Sequence, residues 1–173
     1  MPKVSIIIIS YNRPDETVDA MKNVLFETDT PKGHELEVVV INNGSTKNYS
    51  ACEQYVEQLP SEQKTQVKYV NSGENLGVSR GRNLGVDTVT GDYVVFIDDD
   101  AVFKSQDALQ KLVNTFEAHE EDNVGILALD IENFFTGEPD HPVKNESKLI
   151  DDEFYNNIFW GCGFAVRKKV FDE

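Results

Sequence analysis

The sequence predicts an α/β sandwich of three layers with a mostly parallel central sheet, and three observations carry that prediction. Over residues 3–131, short β-branched runs alternate with helical patterns. The run Tyr93-Val94-Val95-Phe96-Ile97 is continuously apolar and rich in strand formers, the pattern of a strand buried on both faces. Three hydrophobic strands stop abruptly in polar turns, at residues 10–13, 42–45 and 98–100. In open sheets of this kind ligands bind beyond the carboxyl ends of the strands. Those three turns are therefore where function is expected.

Each element has its own warrant. Residues 3–9 form the first strand, and Pro14 stands where a helix can begin. Asp15 and Glu16 suit the first turn of that helix, and Val18, Met21, Val24 and Leu25 follow at helical spacing. Residues 36–41 form the second strand, which ends at the turn signal Asn42-Asn43-Gly44-Ser45. A helix over residues 49–59 and a short strand over residues 67–70 come next. Residues 73–85 are rich in Gly and Asn, and their second half runs as a helix towards Val89, where Thr90-Gly91-Asp92 breaks it. Ser105 is the expected N-cap of a helix whose stripe is Leu109, Leu112, Val113 and Phe116. Residues 124–131 return as a strand, the acidic stretch 133–152 reads as a loop, and residues 159–166 read as the last strand.

Composition narrows the function classes. The 173 residues suit one domain with a core of useful size, and 31 acidic against 16 basic side chains give a net charge of −15. Such a chain repels nucleic acid phosphates and anionic lipid, so no nucleic-acid partner is expected. Residues 117–153 hold 12 acidic residues against two lysines, a pattern read as a solvated face with a polar loop. Apolar runs such as residues 6–9 are far too short to span a bilayer, and the start of the chain lacks a signal-peptide pattern. Two cysteines without CxxC spacing, Cys52 and Cys162, fit a cytoplasmic location.

The sharpest chemical signal is Asp98-Asp99-Asp100. Neighbouring carboxylates at about 4 Å repel by roughly 1–4 kcal/mol per pair, depending on the local dielectric. Alternate residues at a strand end point the same way, so Asp98 and Asp100 suit one hard divalent ion, Mg²⁺ or Mn²⁺. The same triplet also suits an acidic loop start or the cap of the next helix. Arg80 and Arg82, among glycines with Asn75 and Asn83, offer forks and amides to an anion, or simply form a turn and a surface helix. Tyr11 offers a ring for stacking, and Asn42, Asn43 and Ser45 offer polar groups to a base edge. Trp160 and Cys162, flanked by glycines, read mainly as packing. His34, His119 and His141 lack ligand spacing and read as surface residues, and no GxSxG elbow is present.

Four segments in order and register resemble family 2 glycosyltransferases: residues 4–14 ending Ser10-Tyr11-Asn12-Arg13-Pro14, residues 39–46 with Asn42-Asn43-Gly44-Ser45, residues 74–85 with Arg82-Asn83-Leu84-Gly85, and residues 90–100 ending in the three aspartates. The resemblance covers essentially the whole chain. It implies a GT-A fold, Rossmann-like in its nucleotide-binding part, with a nucleotide-binding half over residues 1–100 and the start of an acceptor-binding half over residues 101–173. It further implies inverting, metal-dependent transfer of a sugar from a nucleoside-diphosphate donor to an acceptor hydroxyl, with Mg²⁺ or Mn²⁺ as cofactor. Ser10, Tyr11, Asn12, Asn42, Asn43, Arg82, Asp98 and Asp99 would bind the donor; Asp98 and Asp100 would hold the metal. Tyr11 would stack on the base, Asn43 would lie at its edge, and residues 161–167 would line the acceptor side.

Two departures qualify this. The family commonly has aspartate where this chain has Asn42 and Asn43, and an amide both accepts and donates at a base edge. A UDP- or dTDP-linked donor is favoured, and a GDP-linked one stays open. The family's general base lies beyond the position of Glu173, so the chain is expected to be a truncated domain, and Asp151, Asp152 and Glu153 are not promoted into that role. The acceptor stays open between a glycan and a lipid-linked group; the latter would bring the protein to the cytoplasmic membrane face. The rival reading is a non-catalytic nucleotide- or protein-binding module.

Overall fold

The computed structural model describes residues 1–121, 124–139, 148–150, 153–155, 159 and 161–171. The strands are β1 (Lys3–Ser10), β2 (Glu35–Asn42), β3 (Val67–Asn71), β4 (Tyr93–Asp98), β5 (Ile126–Ala128), β6 (Lys148–Ile150), β7 (Glu153–Tyr155) and β8 (Gly163–Arg167). The helices are α1 (Pro14–Lys22), which continues as a π-helical turn over Asn23–Glu27, then α2 (Ser50–Gln58), α3 (Ser61–Gln66), α4 (Gly77–Thr88) and α5 (Ala108–Ala118).

Six strands form one sheet in the order β3-β2-β1-β4-β8-β5. The first four are parallel, β8 runs antiparallel to β4, and β5 antiparallel to β8. Because side chains alternate along a strand, the apolar runs divide between two faces. Val4, Ile6, Ile8, Val38, Val40, Val95 and Ile97 pack with Met21, Cys52, Leu109, Val113 and Phe116 on the side of α1, α2 and α5. Ile7, Val39, Ile41, Val94 and Phe96 pack with Val86 and Val89 at the end of α4 on the other. The sheet is thus covered on both sides, which is why its central strands read as continuous apolar runs.

Helix α4 comes unusually close to β1. A Cβ on Gly81 would stand 2.3 Å from Ile9 Cδ1, and one on Gly85 would stand 2.7 Å from Ile7 Cγ2. These two glycines, one helical turn apart, make the contact sterically available. At the opposite sheet edge Glu37, 5% exposed, accepts bonds from Ser5 Oγ (2.6 Å), Lys68 Nζ (2.6 Å) and Thr90 N (2.8 Å). Burial pushes its carboxyl up, but these donors outweigh that and hold it below its ordinary value.

Several expectations are corrected. Helix α5 begins at Ala108 with Asp107 at its N-cap, because Ser105 Oγ is engaged by the Asp107 carboxylate and Ser105 O receives Ala108 N at 3.1 Å. The strand expected over residues 124–131 shrinks to β5, which pairs with Val166, Ala165 and Phe164 of β8 and is flanked by single backbone bonds at Gly125 and Leu129. The stretch 133–152 is not all loop. Glu132 bridges to Pro139, and Lys148–Ile150 pairs antiparallel with Glu153–Tyr155, two short apolar segments separated in sequence by two aspartates. The last strand starts four residues later than expected, at Gly163. The six-residue α3 has no apolar stripe and carried no signal. His34 is half-buried, its ring 6.0 Å from Tyr93, rather than a surface residue. His141, Trp160, Asp151 and Asp152 lie outside the described residues. Among the described residues no helix is long and apolar enough to cross a membrane.

Candidate active site

Parallel pairing places Ser10 beside Asn42, Asn42 beside Asn71, and Ile9 beside Asp98. The turns after β1, β2, β3 and β4 therefore share one edge of the sheet. Asn12 sews the first to the second. Its φ of 62° lies in the left-handed region, which Asn tolerates better than most side chains. From there its Oδ1 accepts Thr46 N (2.8 Å), Lys47 N (2.9 Å) and Thr46 Oγ1 (3.2 Å), and its own N–H donates to Ser45 Oγ at 3.0 Å. Ser10 lies beneath, its hydroxyl 2.6 Å from both Thr17 Oγ1 and Tyr49 OH in a buried hydroxyl cluster.

Asn42 and Asn43 are also inside. Asn42 Oδ1 accepts Ser45 N at 3.1 Å, and its Nδ2 donates to Tyr69 OH at 3.2 Å. Burial pushes that phenol up to about 12. Asn43 Oδ1 accepts Leu76 N at 3.0 Å, while its Nδ2 donates to Gly77 O (3.3 Å) and Asn75 Oδ1 (3.4 Å). Gly44, at φ 66°, lets the loops touch: a Cβ there would fall 2.1 Å from the carbonyl carbon of Glu74. The edge is a braced rim rather than a set of free turns.

Over this rim stand the charged groups. Asp98 Oδ1 pairs with Arg82 Nη2 at 3.2 Å, and the same nitrogen donates to the carbonyl of Gly161. The Arg82 guanidinium carbon lies 5.8 Å from the Phe96 ring centre and 5.3 Å from that of Phe164. Asp99 is buried, accepts Tyr11 N at 3.4 Å, and lies 3.5 Å from Arg13 Nη1. That nitrogen also pairs with the Asp100 carboxylate. Burial pushes both Asp98 and Asp99 above the ordinary carboxylate value; Arg82 opposes this at Asp98, and the Ser10 hydroxyl and Arg13 oppose it at Asp99. Asp100 adds to the rise at Asp98, so the two carboxylates feel each other's charge. Asp100, then Asp99, holds the Arg13 guanidinium above its usual range. The Tyr11 ring is 43% exposed beside them.

The structure thus gathers all the expected site residues at one edge, but in two layers. Tyr11, Asp98 and Asp100 keep exposed or half-exposed side chains and Arg82 is largely enclosed, while Ser10, Asn42, Asn43 and Asp99 are buried and Asn12 is tied to the second loop. Arg13, Thr17, Tyr49 and Tyr69 were given no role by the sequence. Arg13 had a signal, since it sits in the same strand-end turn as Tyr11; the other three lie within or beside elements and carried none. Among the described residues no group of three His, Cys, Asp or Glu side chains gathers into a metal cage. Grooves of about 380 Å³ between α1 and α2, and about 430 Å³ around Lys3, His34 and Glu62, lie away from this rim. Neither contains the aspartate triplet.

This four-stranded parallel unit extended by antiparallel strands has the GT-A fold of glycosyltransferases. Residues 5–173 match the family model described as Glycosyl transferase family 2, and the chain belongs to that family. It is 28% identical over 171 residues to an uncharacterized protein of Haemophilus influenzae, covering 96% of this chain and 88% of that one. The mannosyltransferase PcManGT from Pyrobaculum calidifontis, solved in complex with GDP-Man and Mn²⁺, superposes with a TM-score of 0.75 at 22% identity, over 99% of this chain and 46% of that one. The S. aureus protein TarS 1–349 in complex with UDP-GlcNAc gives 0.70 at 20% identity, over 98% and 46%. The chain therefore spans less than half of each of these solved chains.

Proposed function

We propose that this rim binds a nucleoside-diphosphate sugar together with Mg²⁺ or Mn²⁺, and that the domain serves inverting transfer of the sugar to an acceptor hydroxyl. One observation carries the reading: three consecutive carboxylates at the end of the buried strand β4 share a rim with an exposed tyrosine ring and two arginines. Family membership supports reading that arrangement as a donor site.

The donor set suits a hard divalent ion. Asp98 and Asp100 offer carboxylate oxygens with side chains 38% and 51% exposed, leaving room for water and phosphate oxygens, which such ions retain as ligands. A bound ion would supply Lewis-acid neutralisation of the leaving diphosphate. Asp98 and Asp100 would hold it. Tyr11 would stack on the base, a contact tolerant of base identity. Arg82, fixed over Phe96 and Phe164, would face the nucleotide with its remaining donors. Ser10, Asn12, Asn42, Asn43 and Asp99 would shape the donor cleft from beneath, through the bonds that hold its loops. Residues 1–100 are read as the nucleotide-binding half, and residues 101–173 as the start of the acceptor half. Donor binding is the part of the activity assigned to the residues described. A cytoplasmic location agrees with this reading, and a lipid-linked acceptor would bring the domain to the membrane face.

A thermal-shift series with UDP, dTDP and GDP, each with and without Mn²⁺, tests it. Stabilisation by a nucleotide only when Mn²⁺ is present, lost in Asp100→Ala with the fold intact, is the expected result. An unchanged shift in that variant removes Asp100 from the site, and no shift with any nucleotide overturns the reading.

A further inference from the structure

The aspartate triplet meets two arginines of different character. Arg82 is pinned: its side chain is 18% exposed, it pairs with Asp98, it donates to Gly161 O, and it lies over two rings. Arg13 is anchored only at its root. Its backbone N–H donates to Tyr49 OH at 2.9 Å and its carbonyl accepts Thr17 N at 3.0 Å, but its side chain is 49% exposed and reaches out to Asp99 and Asp100. A half-exposed ion pair of this kind is weak and easily exchanged.

We propose that Arg13 is an exchangeable counter-ion: it neutralises Asp99 and Asp100 until the donor arrives, then gives up Asp100 to the divalent cation and turns to the donor's diphosphate. The exchange rests on the donor site proposed for this rim. A guanidinium binds carboxylate and phosphate oxygens with the same forked geometry, so Arg13 can change partners by side-chain rotation alone. The energetic consequence follows from where Arg13 goes. A cation arriving alone must displace Arg13 from Asp100 and leave the guanidinium without its best partner. A cation arriving with a nucleoside diphosphate supplies the replacement. Cation and nucleotide therefore favour each other's binding, by the same factor in either direction. The three carboxylates meanwhile never face one another unscreened, because Arg82 stays on Asp98 throughout.

The test is a Mn²⁺ titration that follows the free ion by its paramagnetic resonance signal, on wild type, Arg13→Gln and Arg13→Lys, with and without UDP or GDP. Arg13→Gln is expected to bind Mn²⁺ alone about fivefold more tightly than wild type, since no guanidinium competes for Asp100. The tightening of Mn²⁺ binding that nucleotide brings in wild type should fall by about fivefold or more in the same variant. Arg13→Lys, whose ammonium keeps the charge but lacks the guanidinium's planar fork for a phosphate, should fall between the two, and it decides the question in the same way if the glutamine variant does not fold. Neither change touches the backbone bonds that root residue 13. Equal or weaker Mn²⁺ binding in the variants without nucleotide, or undiminished coupling with it, overturns the exchange. A wild-type protein in which neither nucleotide alters Mn²⁺ binding overturns the donor-site reading itself, a result read without any variant.

Discussion

The side-chain oxygen of Asn43 accepts the backbone N–H of Leu76 at 3.0 Å, fastening the end of β2 to the entry of α4 across 33 residues of chain. The same amide donates to Gly77 O and Asn75 Oδ1, so it answers one donor and two acceptors at once. Asn43→Ala leaves a part-buried N–H unpaired and should lower stability by about 1 kcal/mol in urea unfolding. Asn43→Asp should also destabilise, since a carboxylate facing Gly77 O and Asn75 Oδ1 has nothing to donate. An Asp variant as stable as wild type would show that the amide donors contribute nothing.

Gly81→Ala should cost about 1–3 kcal/mol by overpacking, against the usual gain from replacing a helical glycine. The atom in the way is Ile9 Cδ1. Ile9→Val deletes that atom, so the double variant should recover most of the loss. A double-mutant cycle that proves additive would refute the contact.

Glu37 should make the fold acid-sensitive. Its carboxyl lies below its ordinary 4.5 in the folded state, so the unfolded chain binds its proton first as pH falls. The stability it contributes is present above that ordinary value and is lost as pH drops through the lower, folded one. Unfolding free energies of wild type and Glu37→Gln, measured from pH 7 downward, should converge across that window; a gap that does not depend on pH would assign the effect to packing instead.

Asp99 should behave in the opposite sense. Burial raises its carboxyl above 3.8, so the stability tied to its protonated form is present at low pH and lost as pH rises through the folded value. Asp99→Asn keeps an acceptor for Tyr11 N and removes the buried charge, so its melting temperature near pH 7 should equal or exceed that of wild type. A marked fall would mean that the Arg13 contact outweighs the burial.

Tyr11→Ala should weaken UDP binding in the presence of Mn²⁺ by about tenfold, within the range of a lost base–ring stack, while Tyr11→Phe should not. Calorimetry on the three proteins decides it. Equal affinities would take the ring out of the site.

What the sequence made legible depended on whether the physics is local. Strand β4 was readable because burial on both faces leaves an uninterrupted apolar run, and the aspartate triplet stood out against it. Asn12, Asn42 and Asn43 were readable as members of strand-end turns, but not as braces, because their partners Lys47, Tyr69 and Leu76 are remote in sequence or belong to other elements. The pairing of Lys148–Ile150 with Glu153–Tyr155 was hidden by acidic neighbours that dominate the local composition. Gly81 and Gly85 were legible as part of a helix but not as its contact with β1; their spacing of one helical turn was the clue to a helix lying against a strand.

The antiparallel strand β8 enters the sheet beside β4, and just ahead of it the carbonyl of Gly161 receives Arg82. Phe164, within β8 itself, supplies one of the two rings beneath that guanidinium. A shortened protein ending soon after Asp100 would keep every signature residue of the first four strands and still lose two of the supports that hold Arg82 against Asp98. The smallest piece that keeps Arg82 held as it is here must therefore run through β8.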